Sequence, residues 1–179
     1  FNTDEDAATS NTFQTTPIEI DGNLIFCSPS NRVFSLDGDT GKQNWIYDPK
    51  VERDKVPFFV CRGLAHHRTL NAGVALDGAL NNPAACTSRV LMGTVDDRLL
   101  ALDAKTGAPC PDFGDGGGID LTQGLGMIMR GHHFVSSPPA VIGDIAVVGS
   151  FIMDNQSNRQ PPGVVRAYNV HSGELVWAW

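Results

Sequence analysis

Helix signals are almost missing from this 179-residue chain. No stretch sustains the 3.6-residue apolar period, and no apolar run approaches the roughly 20 residues of a membrane helix, so a helical bundle is excluded. Cations are scarce: 13 Lys and Arg against 20 Asp and Glu leave a net charge of -7. That balance argues against nucleic acid or an anionic membrane surface as the main partner. The four Cys, at 27, 61, 86 and 110, form no Cys-x-x-Cys pair, so the spacing of zinc ribbons and thioredoxin-like sites is lacking. Gly114-Asp115-Gly116-Gly117-Gly118 lacks the Gly-Lys-Ser/Thr ending and the following helix of a phosphate cradle. Aromatics make up only 8% of the residues, too few for a lectin-like ring with an aromatic platform in every repeat. No leader peptide is legible, but the chain opens on Phe1, so its natural start is expected upstream.

One motif is present three times. The first copy runs from Arg32 through Asp37-Gly38-Asp39-Thr40-Gly41 to Trp45. The second runs from Arg98 through Asp103-Ala104-Lys105-Thr106-Gly107 and breaks off at Ala108-Pro109-Cys110. The third runs from Val165 through Asn169-Val170-His171-Ser172-Gly173 to Trp177. The motif glycines are 66 residues apart in both intervals (107 − 41 and 173 − 107), and a fixed period of this kind marks a repeat architecture. Each copy reads as strand, tight turn, strand. The Asp or Asn accepts hydrogen bonds from the backbone just ahead of it, and the Gly supplies a positive φ. Trp45 and Trp177 offer flat faces for burial against neighbouring repeats.

Short strands in fours, with almost no helix, predict an all-β fold, a β-propeller with Trp-docking hairpins. The units fall at about 12–47, 58–113 and 132–179. Closed propellers need about 4–8 blades, so three units are expected to be part of a longer chain. Cys86 and Cys110 sit at the open end of the hairpin that turns at Asp96-Asp97, where strand pairing brings them together as a disulfide. The alternative is four buried thiols.

One ordered set of residues resembles a known family. It comprises Thr12-Phe13-Gln14-Thr15-Thr16-Pro17, the Trp hairpins, Cys61-Arg62-Gly63-Leu64-Ala65-His66-His67, Ser136-Ser137-Pro138-Pro139 and Asp154-Asn155. The likeness is to the pyrroloquinoline-quinone (PQQ) dehydrogenases, above all the membrane-bound quinoprotein glucose and quinate dehydrogenases. It implies an eight-bladed propeller, of which this chain is about three blades. It implies Gln14, Arg62, His67 and Ser136 as cofactor-binding residues. It implies Asp154 and Asn155 as ligands of Ca²⁺ or Mg²⁺, although the dipeptide by itself suits an Asx turn. The alcohol-oxidising relatives carry adjacent cysteines before the Arg; only Cys61 stands here, which favours the sugar or cyclic-polyol branch. The catalytic base is expected beyond Trp179. The resemblance further implies ubiquinone as electron acceptor, the periplasmic face of the bacterial inner membrane as location, and membrane attachment through segments outside this chain. The rival class is a non-catalytic propeller of the outer-membrane assembly type, which has no use for Arg62 or Asp154-Asn155.

Overall fold

The computed structural model describes residues 13–52, 56, 58–69, 86–153 and 160–179. Among these there are strands and turns but no helix. The first blade is a meander of β1 (Ile18–Ile20), β2 (Asn23–Cys27), β3 (Val33–Asp37) and β4 (Gln43–Tyr47). The second is β5 (Ala65–Arg68), β6 (Ser88–Gly93), β7 (Arg98–Asp103) and β8 (Gly118–Asp120). A short strand, β9 (His133–Phe134), precedes the third blade. That blade holds β10 (Ala140–Ile142), β11 (Ile145–Val148), β13 (Arg166–Asn169) and β14 (Leu175–Ala178), in that spatial order. The remaining strand, β12 (Phe151–Ile152), leaves the blade and pairs antiparallel with β9.

The three motif copies form the last hairpin of their blades by one mechanism. Asp37 Oδ1 accepts the Thr40 amide and hydroxyl at 2.8 and 2.6 Å. Asp103 Oδ1 accepts the same groups of Thr106 at 2.8 and 2.9 Å. Asn169 Oδ1 accepts the amides of His171 and Ser172 at 2.8 and 3.0 Å. In each copy the Gly amide closes the turn onto the carbonyl of the Asp or Asn, and the Gly lies at φ +68, +73 or +76. Turn chemistry that is local in sequence therefore sets the register of the outer strands.

The central strands of the second blade are buried on both faces because each is covered twice. On β6, Val90 and Met92 pack into a core shared with the first blade, through Ile25, Val33 and Trp45. Leu91, between them, faces the opposite way, into a core with Ala146, Tyr168 and Val170 of the third blade. The alternation of a strand thus serves two interfaces, and near-continuous apolar runs result.

Three expectations change. The second unit does not end at 113. After its motif turn the chain holds Cys110 buried against β7, its amide on the Ala101 carbonyl, and the fourth strand forms only at Gly118–Asp120. Ile119 then fills the interface, against Gly173. Trp177 is 44% exposed rather than buried, because no further sheet among the described residues covers β14; Trp45, with the second blade against it, is 9% exposed. Finally, all four cysteines are paired. Cys86–Cys110 forms as the hairpin geometry predicts, with Cα atoms 5.7 Å apart. Cys27–Cys61 is a second bridge, from the end of β2 to the residue before Arg62, and it joins the first two blades.

Candidate cofactor cleft

The first strand of each blade is preceded by one residue of a single constellation. Gln14 stands four residues before β1 (18 − 14), Arg62 three before β5 (65 − 62) and Ser136 four before β10 (140 − 136). The segments lie side by side at one end of the blades. Thr16 and Gly63 form a parallel bridge, the Thr16 amide donates to the Arg62 carbonyl at 3.0 Å, and the Arg62 amide donates to the Ser136 carbonyl at 2.8 Å. Gly63 permits this approach. It lies at φ +154, a backbone conformation that side-chain-bearing residues rarely adopt.

Arg62 is exposed but held from both sides. Its Nε donates to Gln14 Oε1 at 3.3 Å, and its Nη1 donates to Ser136 Oγ at 2.8 Å. Nη2 has no hydrogen-bond partner among the described residues. The guanidinium plane is fixed by two neutral acceptors, so its charge is not cancelled by a carboxylate. Behind it the Cys27–Cys61 bridge anchors the preceding residue.

Beside this cluster lies a cleft of about 250 Å³ with Phe58, Phe59, Phe134 and Phe151 on its walls. Phe134 stacks on Phe151 with centroids 4.5 Å apart, and Phe58 meets Phe151 edge-on at 6.3 Å. Phe58 and Phe151 remain exposed on its surface. The β9–β12 pair builds this wall, and it is pinned from below. His133 Nδ1 and Asp97 Oδ1 lie 2.5 Å apart, both buried, and tie β9 to the β6–β7 turn. Burial pushes the Asp97 carboxyl up, and the His133 bond offsets part of that.

The structure brings Gln14, Arg62 and Ser136 together, but not His67. An extended strand climbs about 3.3 Å per residue, so five residues carry His67 roughly 16 Å along β5 from Arg62. There its ring bonds Asp144 of the β10–β11 turn at 2.8 Å. The neighbouring His66 bonds Ser88 within its own blade. Asp154 and Asn155 lie outside the described residues.

Sequence reading missed the aromatic wall, the Cys27–Cys61 bridge and the Asp97–His133 pair. The Phe58-Phe59 run just ahead of Cys61 was the available signal for the wall. Nothing local signals that Phe151 returns to Phe134, because the contact depends on β12 leaving its blade.

The whole chain, residues 1–179, matches the model of the family described as PQQ: glucose/ethanol/alcohol dehydrogenase, beta-propeller domain. It is 38% identical to the quinate/shikimate dehydrogenase (quinone) of Acinetobacter baylyi, covering 93% of this chain and 21% of that protein. It is also 38% identical to the glycerol dehydrogenase large subunit of Gluconobacter thailandicus, over 93% and 22%. With quinoprotein glucose dehydrogenase A of Acinetobacter calcoaceticus the identity is 33%, over 99% and 22%. The chain thus spans about a fifth of the length of the curated relatives it matches. Among solved structures, the quinohemoprotein alcohol dehydrogenase from Comamonas testosteroni aligns with a TM-score of 0.68 at 24% identity, over 94% of this chain and 21% of that one. At that identity the likeness speaks for the fold.

Proposed function

Because this chain belongs to the PQQ glucose/ethanol/alcohol dehydrogenase β-propeller family, we propose that the full protein is a PQQ-dependent dehydrogenase of sugars or polyols. The substrate class rests on relatives named for glucose, quinate or shikimate, and glycerol. Glycerol is acyclic, so the cyclic-polyol restriction is widened to polyols in general.

The single observation that carries the reading is the Arg62 cluster: one uncancelled guanidinium, oriented by Gln14 and Ser136, beside an aromatic-walled cleft. These residues fit a planar, acidic quinone. The Arg62 fork would donate to a quinone oxygen or a carboxylate, with Ser136 as a second donor. The Phe134–Phe151 stack would shield one edge from water. When bound, PQQ supplies the two-electron acceptor that no side chain here can provide. Asp154 and Asn155 would bring carboxylate and amide oxygens to Ca²⁺ or Mg²⁺. Such a cation acts as a Lewis acid.

Two disulfides fit an oxidising compartment. That supports the periplasmic face of the inner membrane, where ubiquinone would take the electrons and membrane contact would come from other parts of the protein.

The test uses the full-length apoprotein. Binding of PQQ is followed by quenching of intrinsic fluorescence, with circular dichroism as the check on folding. Losing a charge-assisted hydrogen bond costs about 1.5–3 kcal/mol, so Arg62→Ala should weaken PQQ binding roughly 10- to 100-fold. Arg62→Lys should recover it only in part, since a point charge does not replace a planar fork. Parent-like binding in both variants would overturn the assignment. Asp154→Ala should raise the cation concentration needed for reconstitution, and Asp4→Ala should not; equal requirements would remove the metal role.

A further inference from the structure

At the far end of β5 from Arg62, three side chains from three separate stretches converge. His67 Nε2 lies 2.8 Å from Asp144 Oδ1, and His171 Nε2 lies 3.3 Å from the same oxygen. The three potential ligand atoms all fall within 4.8 Å of one another. The two imidazoles stand edge to face, with ring centroids 5.1 Å apart. His67 belongs to the second blade; Asp144 and His171 belong to two turns of the third.

We propose that His67, Asp144 and His171 form a site for a divalent transition metal of the Zn²⁺ type, which clips the second blade to the third. Two imidazole nitrogens and one carboxylate oxygen are a borderline donor set that suits Zn²⁺, Ni²⁺ or Cu²⁺ and poorly suits Ca²⁺ or Mg²⁺. Zinc–ligand bonds near 2.0–2.1 Å in a tetrahedron put neighbouring ligand atoms roughly 3.3 Å apart. The Asp144–His171 distance already has this value, and the Asp144–His67 distance needs to open by about half an ångström. The rigid and yielding parts are well divided. His67 is 6% exposed and locked in β5 opposite Arg89. Asp144 and His171 are 65% and 34% exposed, on turns whose backbones are tied by the bond from the Val170 amide to the Asp144 carbonyl. Three protein ligands and an open side leave a fourth position for water.

The junction between the first and second blades shows what a purely structural solution looks like. There Asp21, also in the turn after a blade's first strand, pairs with Arg68 at 2.6 Å. A guanidinium satisfies a carboxylate without a third party. At the next junction the carboxylate comes instead from the later blade, and Asp144 meets two imidazoles, the side chains that most readily accept a metal. His171 occupies the turn position where the other motif copies carry Asp39 and Lys105, so the turn itself does not require it. His67 Nδ1 is buried without a protein hydrogen-bond partner. It therefore lacks the outer acceptor that usually supports a ligating His, an absence that costs about 10–100-fold in affinity. The site should accordingly be an exchangeable clip rather than a permanent zinc core.

The experiment uses the untagged full-length protein with Ca²⁺ and Mg²⁺ in excess, titrated with Zn²⁺ against a chromophoric chelator. PQQ is absent, so the result does not depend on the proposed activity. The parent should take up one more equivalent of Zn²⁺ than His171→Gln or Asp144→Asn, and Zn²⁺ should raise its thermal midpoint but not theirs. Affinity at this site should fall by more than ~100-fold in His171→Gln, beyond what loss of an outer-shell contact does. Both variants change exposed turn residues, and circular dichroism confirms their folding. Zn²⁺ uptake that is absent in the parent, or unchanged in both variants, would overturn the proposal and leave a hydrogen-bonded His–Asp–His clamp.

Discussion

The indole of Trp45 lies directly on Gly107, so close that a β-carbon at that glycine would sit 2.5 Å from the ring. Its Nε1 donates to the Ala104 carbonyl at 3.3 Å. The tryptophan of one motif copy is thus received by the turn of the next, and one glycine serves both as a left-handed turn residue and as a docking floor. Gly107→Ala should therefore cost about 1–2 kcal/mol for the backbone plus ~1–3 kcal/mol for overpacking the ring. Gly41→Ala, at φ +68 with nothing within 4 Å, should carry only the backbone part. Urea unfolding of both full-length variants separates the two; equal losses would mean that the docking contact is energetically idle.

The two disulfides close loops of similar length, with separations of 34 and 24 residues. Removing either should cost a similar ~3–4 kcal/mol by chain entropy. They differ in what they hold. Cys61 precedes Arg62, whereas Cys86–Cys110 braces the second blade's own hairpin. The paired change Cys27→Ser with Cys61→Ser should weaken PQQ binding at least several-fold, while Cys86→Ser with Cys110→Ser should leave it near the parent value. Fluorescence titration of the two apoproteins, at a temperature where both stay folded, decides the matter.

Arg89 is 2% exposed and spends its guanidinium on the Cys86 and Val170 carbonyls, at 3.1 and 2.8 Å, and on Asp112 at 2.9 Å. It joins the second blade to the third motif turn through buried backbone oxygens. Leaving a buried carbonyl without its donor costs about 1–3 kcal/mol, and Arg89→Ala, which strands those of Cys86 and Val170, should cost at least that much. Asp112 is half exposed, so Asp112→Asn should cost under ~1 kcal/mol. A large loss in Asp112→Asn would instead place the stabilisation in the ion pair.

Asp103 gives the motif an acid limb. Burial acts to raise its carboxyl, but hydrogen bonds from the Thr106 side chain and from the Cys86, Thr106 and Lys105 amides outweigh it, holding the pKa below the ordinary 3.8. A carboxyl depressed in the folded state binds fewer protons there than in the unfolded chain. Its contribution is complete above the ordinary carboxylate pKa and is lost as pH falls through the lower folded value. Asp103→Asn keeps the turn acceptor, as Asn169 does in the third copy, but sets its amide nitrogen against the Cys86 amide that Oδ2 accepts at 3.0 Å, so stability near neutrality should fall by about 1–3 kcal/mol. Its unfolding free energy should fall less steeply than the parent's below about pH 4. Parallel acid limbs in the two proteins would refute this.

Much of the architecture was legible because it is written in short-range chemistry. Asp-x-x-Thr-Gly closes on itself within five residues, its 66-residue spacing counts the blades, and the Cys86–Cys110 pair follows from one hairpin. Arg62 and Ser136 could be picked out as members of an ordered pattern, though not as partners 74 residues apart. Only the stacking of blades decides that pairing, since it sets the starts of three inner strands side by side. Strand rise, not residue type, separates His67 from Arg62 and delivers it to Asp144. The Cys27–Cys61 bridge and the Phe134–Phe151 wall likewise arise from contacts between units, which no local period encodes. What the sequence by itself determined is the repeated hairpin and its turn chemistry; what only the tertiary structure decided is which ends of which strands meet, because packing twisted sheets face to face brings together residues that share no local signal.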